Sequence, residues 1–139
     1  MEMRPLAEGL MVSGQIEESD IPLLAAKGVR AIICNRPDGE VEGQPPFSEV
    51  DAAAAAKGIK AVYMPVRSNA ISDADVQAFA QALDELPKPM LAYCRSGTRC
   101  TALWALGQAG KRPAGDIIVQ AQKAGYDLSG LAPRLEKAD

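Results

Sequence analysis

Met90-Leu91-Ala92-Tyr93-Cys94-Arg95-Ser96-Gly97-Thr98-Arg99-Cys100-Thr101 is the stretch that decides the fold. Its first four residues are apolar and follow the break Pro87-Lys88-Pro89, so they read as a strand. From Thr98 the chain reads as a helix carrying Leu103, Trp104 and Leu106 and closed by Gly110. A strand therefore hands over directly to a helix. In such a turn the backbone N–H groups from Arg95 onward point inward at the positive end of the helix dipole and make a cup for an anion. Gly97 supplies the backbone freedom that the turn needs, Ser96 and Thr98 offer hydroxyls, and Arg95 and Arg99 add two permanent charges. A thiol at the floor of this cup, Cys94, should fall well below the ordinary thiol value of about 8.5, because helix N-termini and neighbouring cations favour the thiolate.

Outward from this loop, Gly and Pro divide the chain into alternating strands and helices. Leu10-Met11-Val12-Ser13 reads as a short strand, and a helix follows with Ser19 or Asp20 as N-cap, Pro22 in its first turn and Gly28 at its end. Val29 to Cys34 is β-branched and apolar, the pattern of a strand buried on both faces. Asn35 to Pro46 reads as a long loop, and a helix capped by Ser48 runs from there to Lys57. Ile59 to Met64 is a further strand, Val66 to Ala70 a loop, and Ser72 with Asp75 a capping pair for a helix from Ala74 to Leu86. Two more helices are expected, Ala114 to Ala124 and Leu131 to Lys137. The pattern predicts an α/β fold with a central, mostly parallel sheet of four to five strands and helices on both faces. Ligands of such sheets sit outside the carboxyl ends of the strands, where Cys94 falls.

With 139 residues the chain fits a single domain over 1–139. Fifteen Lys and Arg against eighteen Asp and Glu, mixed along the chain, give a net charge of −3 and no basic stripe, so nucleic acid is not an expected partner. No apolar run approaches the roughly 20 residues of a membrane span, and Met1-Glu2-Met3-Arg4-Pro5 lacks a signal-peptide core, so a cytoplasmic location away from membranes is expected. Three cysteines are an odd number, so a thiol must be free. The absence of histidine removes Ser/His/Asp and Cys/His catalysis and imidazole metal sites. No metal or organic cofactor is expected.

The segment Tyr93 to Arg99 resembles the active-site loop shared by rhodaneses and cysteine-dependent phosphatases. The wider pattern is Ser13-Gly14-Gln15, Gly28-Val29 to Cys34 with Arg36-Pro37-Asp38-Gly39-Glu40, and Met64-Pro65-Val66. It is similar to the phosphatase-like domain of bacterial beta-lactamase hydrolase-like proteins, a domain also found fused to sulfide-oxidising enzymes. The resemblance covers about Leu6 to Ala109 and implies a tyrosine-phosphatase-like fold; the C-terminal thirty residues add only helices. It also sets out two departures. Phosphatases of this fold carry Cys-x5-Arg, usually after His, whereas here Cys100 takes the arginine place, Arg99 comes one residue early and Tyr93 precedes the cysteine. Dual-specificity phosphatases take a general-acid Asp from the loop after Met64-Pro65, where this chain has Val66, Arg67, Ser68 and Asn69. Loss of a general acid forfeits about 10²–10⁴ in leaving-group departure.

Sulfur transfer needs neither feature, because its leaving groups are already stable anions. The expectation is therefore a rhodanese-like sulfurtransferase that carries sulfane sulfur from thiosulfate or a glutathione-type persulfide as a Cys94 persulfide, yields it to an acceptor thiol, and is linked to sulfide-oxidising enzymes. The alternative is a phosphatase acting on a small phosphoester through a Cys94 phosphocysteine, and a third reading is a non-catalytic anion-binding or thiol redox module. Cys94 and Arg99 are the candidate catalytic residues. Arg95, Ser96, Gly97, Thr98, Arg36 and Arg67 are candidates for binding the anion. Cys100 is a candidate resolving thiol, and Cys34 reads as a packing residue.

Overall fold

Ala31-Ile32-Ile33-Cys34 and Met90-Leu91-Ala92-Tyr93 are buried at every position, and in the computed structural model, which describes residues 2–137, they lie side by side inside a five-stranded sheet, the second of them at its centre. In chain order the strands are β1 (Arg4–Ala7), β2 (Leu10–Ser13), β3 (Ala31–Cys34), β4 (Lys60–Tyr63) and β5 (Met90–Tyr93). The helices are α1 (Ile21–Ala26), α2 (Phe47–Ala56), α3 (Asp73–Glu85), α4 (Thr98–Gln108), α5 (Ala114–Lys123) and α6 (Ala132–Lys137). Spatial order is β1-β2-β5-β3-β4, with β2, β5, β3 and β4 parallel and β1 antiparallel at one edge.

Successive strand side chains point to opposite faces, so each inner strand feeds two cores. Ile33, Met90 and Ala92 pack with Phe79 of α3, Leu103 and Trp104 of α4, Ile117 of α5 and Leu135 of α6. Ile32, Leu91 and Tyr93 pack on the other face with Ile21 and Leu24 of α1 and Val50 of α2. Helices thus cover both faces, which is why the inner strands have no polar side. From β3 the chain steps outward to β4, then returns through α3 to place β5 on the other side of β3. That reversal opens a crevice between the carboxyl ends of β3 and β5. Cys94 lies there.

Two local expectations are corrected. The N-terminal segment adds β1, joined to β2 through Glu8 and Gly9. Pro5 is tolerated because an edge strand pairs on one side only. Helix α2 starts at Phe47, after an extended Pro46, and not at a Ser48 cap. Asp38 accepts the Phe47 N–H at 2.9 Å and so supplies, from nine residues back, the carboxylate that a local cap would have given. The Ser72–Asp75 capping box forms as expected. Among the described residues no helix is long and apolar enough to cross a membrane.

Candidate active site

Cys94 is the first residue after β5, and its N–H still donates to the Ser13 carbonyl at 3.3 Å, so the sheet fixes its backbone. The chain then turns through Arg95, Ser96 and Gly97 into α4. Gly97 has φ +95°, the left-handed region that glycine enters without a Cβ penalty, and a Cβ there would overlap the Tyr126 hydroxyl. Gly14 is equally constrained by space: a Cβ on it would lie 2.8 Å from the Arg95 carbonyl, which also accepts the Gln15 N–H at 3.3 Å. At the other side Thr101 donates to the Gly97 carbonyl with its N–H (3.0 Å) and its hydroxyl (2.8 Å).

The Gly97 N–H donates to the Cys94 sulfur at 3.0 Å. Cys94 is brought down to about 5, chiefly by the Cys100 thiol, which donates to it; burial works in the opposite direction, and the amides of Cys100, Ser96 and Gly97 favour the thiolate further. Cys100 itself is driven well above the ordinary thiol range, first by burial and then by that same bond to Cys94. The two thiols have divided their roles, one ionised acceptor and one protonated donor. Cys34 is pushed up by burial and donates to the Arg36 carbonyl at 3.3 Å, as a packing thiol would. Replacing Cys100 by alanine should therefore move the Cys94 ionisation upward, while Cys100→Ser, which keeps a donor, should hold it lower. Alkylation by iodoacetamide across pH reads this shift, and an unchanged midpoint in Cys100→Ala would remove Cys100 from the account.

Arg99 is on the first turn of α4, with its side chain only 7% exposed. Its guanidinium forks onto Glu40 at 2.7 and 2.8 Å and donates to the Val66 carbonyl at 3.0 Å. Arg36, also buried, shares that carboxylate at 2.9 Å and donates to Gln15 Oε1 at 3.0 Å. Glu40 is held at about 2, mainly by Arg99, against some desolvation and with help from Arg36. Sequence reading named Glu40 only as a loop neighbour of Arg36. The Arg36-x-x-x-Glu40 spacing hints at the first pair, but nothing local points to Arg99, 59 residues on.

Arg95, Ser96 and Thr98 have exposed side chains around the cup, and the Ser96 and Thr98 hydroxyls lie 3.0 Å apart. Arg67 is exposed in the loop after β4. The start of that loop is tied to β3, since Val66 N–H donates to the Asn35 carbonyl at 3.0 Å and the Asn35 side-chain amide donates to the Met64 carbonyl at 2.9 Å. The C-terminal segment does more than add helices: Tyr126, after α5, donates its hydroxyl to the Ser96 carbonyl at 3.0 Å and so braces the loop from outside. Among the described residues no group of three or more His, Cys, Asp or Glu is placed to hold a metal ion.

The family described as "Beta-lactamase hydrolase-like protein, phosphatase-like domain" matches residues 2–111. This chain belongs to that family. A beta-lactamase hydrolase-like protein of Agrobacterium fabrum is 38% identical over 132 residues, 94% of this chain and 31% of that protein, so the chain spans about a third of the length of this relative. A solved candidate phosphatase of Neisseria meningitidis is 38% identical with a TM-score of 0.92, covering 100% of this chain and 99% of that one. The core catalytic domain of a PP-IP phosphatase from S. cerevisiae shares the fold at 15% identity and TM-score 0.73, over 99% of this chain and 85% of that one. The tyrosine-phosphatase-like fold class expected from the sequence is thereby shown.

The same findings overturn the expectation of sulfur transfer: the family is phosphatase-like, and a relative matched over its whole length is a candidate phosphatase. The physical reason lies with Arg99. Its early position in the loop counted against phosphate chemistry, yet its guanidinium is buried, forked by Glu40, and close enough for the Cys94 charge to act on it. The offset of one residue does not cost the site its cation. Thiosulfate, persulfide donors, an acceptor thiol and the link to sulfide oxidation belonged to the discarded reaction and fall with it.

Proposed function

We propose that residues 1–139 act as one phosphatase-like domain that hydrolyses a small phosphorylated substrate through a phosphocysteine on Cys94. The observation that carries this is the Cys94 sulfur at the turn from strand to helix, where the Gly97 N–H donates to it at 3.0 Å and the thiolate is favoured, with Arg99 buried on the first turn of the helix that follows. The thiolate attacks phosphorus, the bond to the leaving oxygen breaks, and its electron pair departs with that oxygen. Loop amides and the Arg99 guanidinium carry the charge on the three equatorial oxygens, the usual main contribution in phosphoryl transfer. Water then attacks phosphorus, the P–S bond breaks, and the pair returns to sulfur as thiolate; the proton of that water leaves on inorganic phosphate.

Arg95 and Arg67 are proposed to attract the dianion, Ser96 and Thr98 to bond its oxygens at the rim, and Gly97 to present its amide. Arg36 acts through Glu40 and Gln15. A brief reaction with p-nitrophenyl phosphate, quenched and analysed by mass, should show one phosphoryl group on Cys94. The Cys94→Ser variant should release no nitrophenolate. Nitrophenolate release by Cys94→Ser at the wild-type rate would overturn the assignment, and tight phosphate binding with no release by the wild type would favour an anion-binding module.

A further inference from the structure

Cleavage of a P–O bond leaves an oxygen anion, and whether that anion needs a proton at the moment of departure depends on its basicity. An alkoxide or a simple phenolate needs one; a nitrophenolate, a carboxylate or a second phosphate does not. Among the described residues the carboxyl groups on the loops at this end of the sheet are few, and most are committed elsewhere; Asp73, the first residue of α3, lies exposed with Oδ1 3.6 Å from the Arg134 guanidinium. Glu40 is forked by Arg99 and shared with Arg36, and held at about 2 it has no proton to give near neutrality. Asp38 is pinned to the Phe47 N–H at 2.9 Å. Glu17 and Asp20 close a capping box ahead of α1, as Asp75 does with Ser72 at the start of α3, and Glu42 stands exposed in the long loop. The loop after β4 runs Pro65-Val66-Arg67-Ser68-Asn69-Ala70, and its one charged side chain is a cation.

Resting on the phosphatase reading, we propose that this site selects phosphoryl groups whose leaving group departs as a stable anion, namely phosphoanhydrides, acyl phosphates and esters of acidic phenols, over alkyl phosphate monoesters. Cys94 attacks phosphorus, the P–O bond breaks, and its electron pair leaves unprotonated on the departing oxygen. Arg67, exposed in the loop after β4 where an acid would have stood, offers a cation to a leaving group that is already negative, which suits an anhydride carrying a second phosphate. The phosphocysteine is then hydrolysed by water without a carboxylate base.

The test compares acetyl phosphate, p-nitrophenyl phosphate, phenyl phosphate and glycerol phosphate with the full chain. Expected is a steep fall of kcat/KM as the leaving group becomes more basic, with glycerol phosphate about 10²–10⁴-fold below p-nitrophenyl phosphate after allowance for intrinsic reactivity and phenyl phosphate between them. The pH profile should rise through the Cys94 ionisation and then stay level through neutrality, and Arg67→Ala should raise KM for acetyl phosphate, whose acetate leaves as an anion, more than for phenyl phosphate. Glycerol phosphate cleaved within about tenfold of p-nitrophenyl phosphate after the same allowance, or a falling limb near neutrality that Asp38→Asn, Glu42→Gln or Asp73→Asn abolishes, overturns the selectivity alone. Release from none of the four substrates overturns the phosphatase assignment and the selectivity together.

Discussion

Arg99→Ala should lower kcat/KM for p-nitrophenyl phosphate by about 10²–10³-fold, the usual loss when one preorganised donor to a developing oxyanion is removed. The side chain is buried, and three hydrogen bonds of 2.7–3.0 Å, to both Glu40 oxygens and to the Val66 carbonyl, fix the plane of the guanidinium before substrate arrives. Arg99→Lys should recover part of the loss, because a point charge replaces the cation but cannot fork a carboxylate. Glu40→Gln should leave the cation in place without its countercharge, and raise KM more than it lowers kcat. Glu40 also bears on the pH profile. Its carboxyl is depressed to about 2, so the clamp is complete above the ordinary carboxylate range and is lost only as pH falls toward 2. Through the range in which Cys94 ionises, near 5, the Arg99–Glu40 pair stays charged, and the acidic limb of activity belongs to the nucleophile and the substrate. Near wild-type kcat/KM in Arg99→Ala would remove this residue from the machinery.

Gly97→Ala should be nearly as damaging, by a different route. A side chain at φ +95° costs about 1–3 kcal/mol, and this Cβ would also overlap the Tyr126 hydroxyl. The loop must shift, and with it the Gly97 N–H that lies 3.0 Å from the Cys94 sulfur. Expected are a loss of thermal stability of about 1–3 kcal/mol, a higher Cys94 ionisation and a fall in kcat. Tyr126→Phe added to Gly97→Ala should relieve little, since the ring carbon bearing the hydroxyl would still be 2.8 Å from the new Cβ. A Gly97→Ala enzyme with unchanged Cys94 ionisation would show that the amide at this position does not hold the thiolate.

Local signals made much of this molecule legible from its residues. The strand–loop–helix over Met90 to Gln108, the doubly buried β3 and the Ser72–Asp75 box follow from neighbours in the chain, so composition and spacing report them; the acidity of Cys94 is expected from loop amides and neighbouring arginines, whereas the Cys100 thiol is its first cause and the amides add to it. What escaped depends on contacts between distant segments. Glu40 reaches Arg99 across 59 residues, and Tyr126 reaches the Ser96 carbonyl across 30 from beyond the resemblance that guided the reading. Pairing with β2 alone turns the Arg4–Ala7 segment into a strand. The preference for sulfur transfer failed for a related reason. Counting residues between Cys94 and Arg99 says nothing of where a long side chain ends, and here the end is set by Glu40 and Val66.

The ionisation of Cys94 is the most direct test of all this. Thiolate absorbance in the ultraviolet, or the rate of alkylation by iodoacetamide, should be followed from pH 3 to 10 in the wild type with Cys94→Ser as the blank. One step with a midpoint near 5 is the predicted result. A midpoint in the ordinary thiol range of about 8–9 would contradict it.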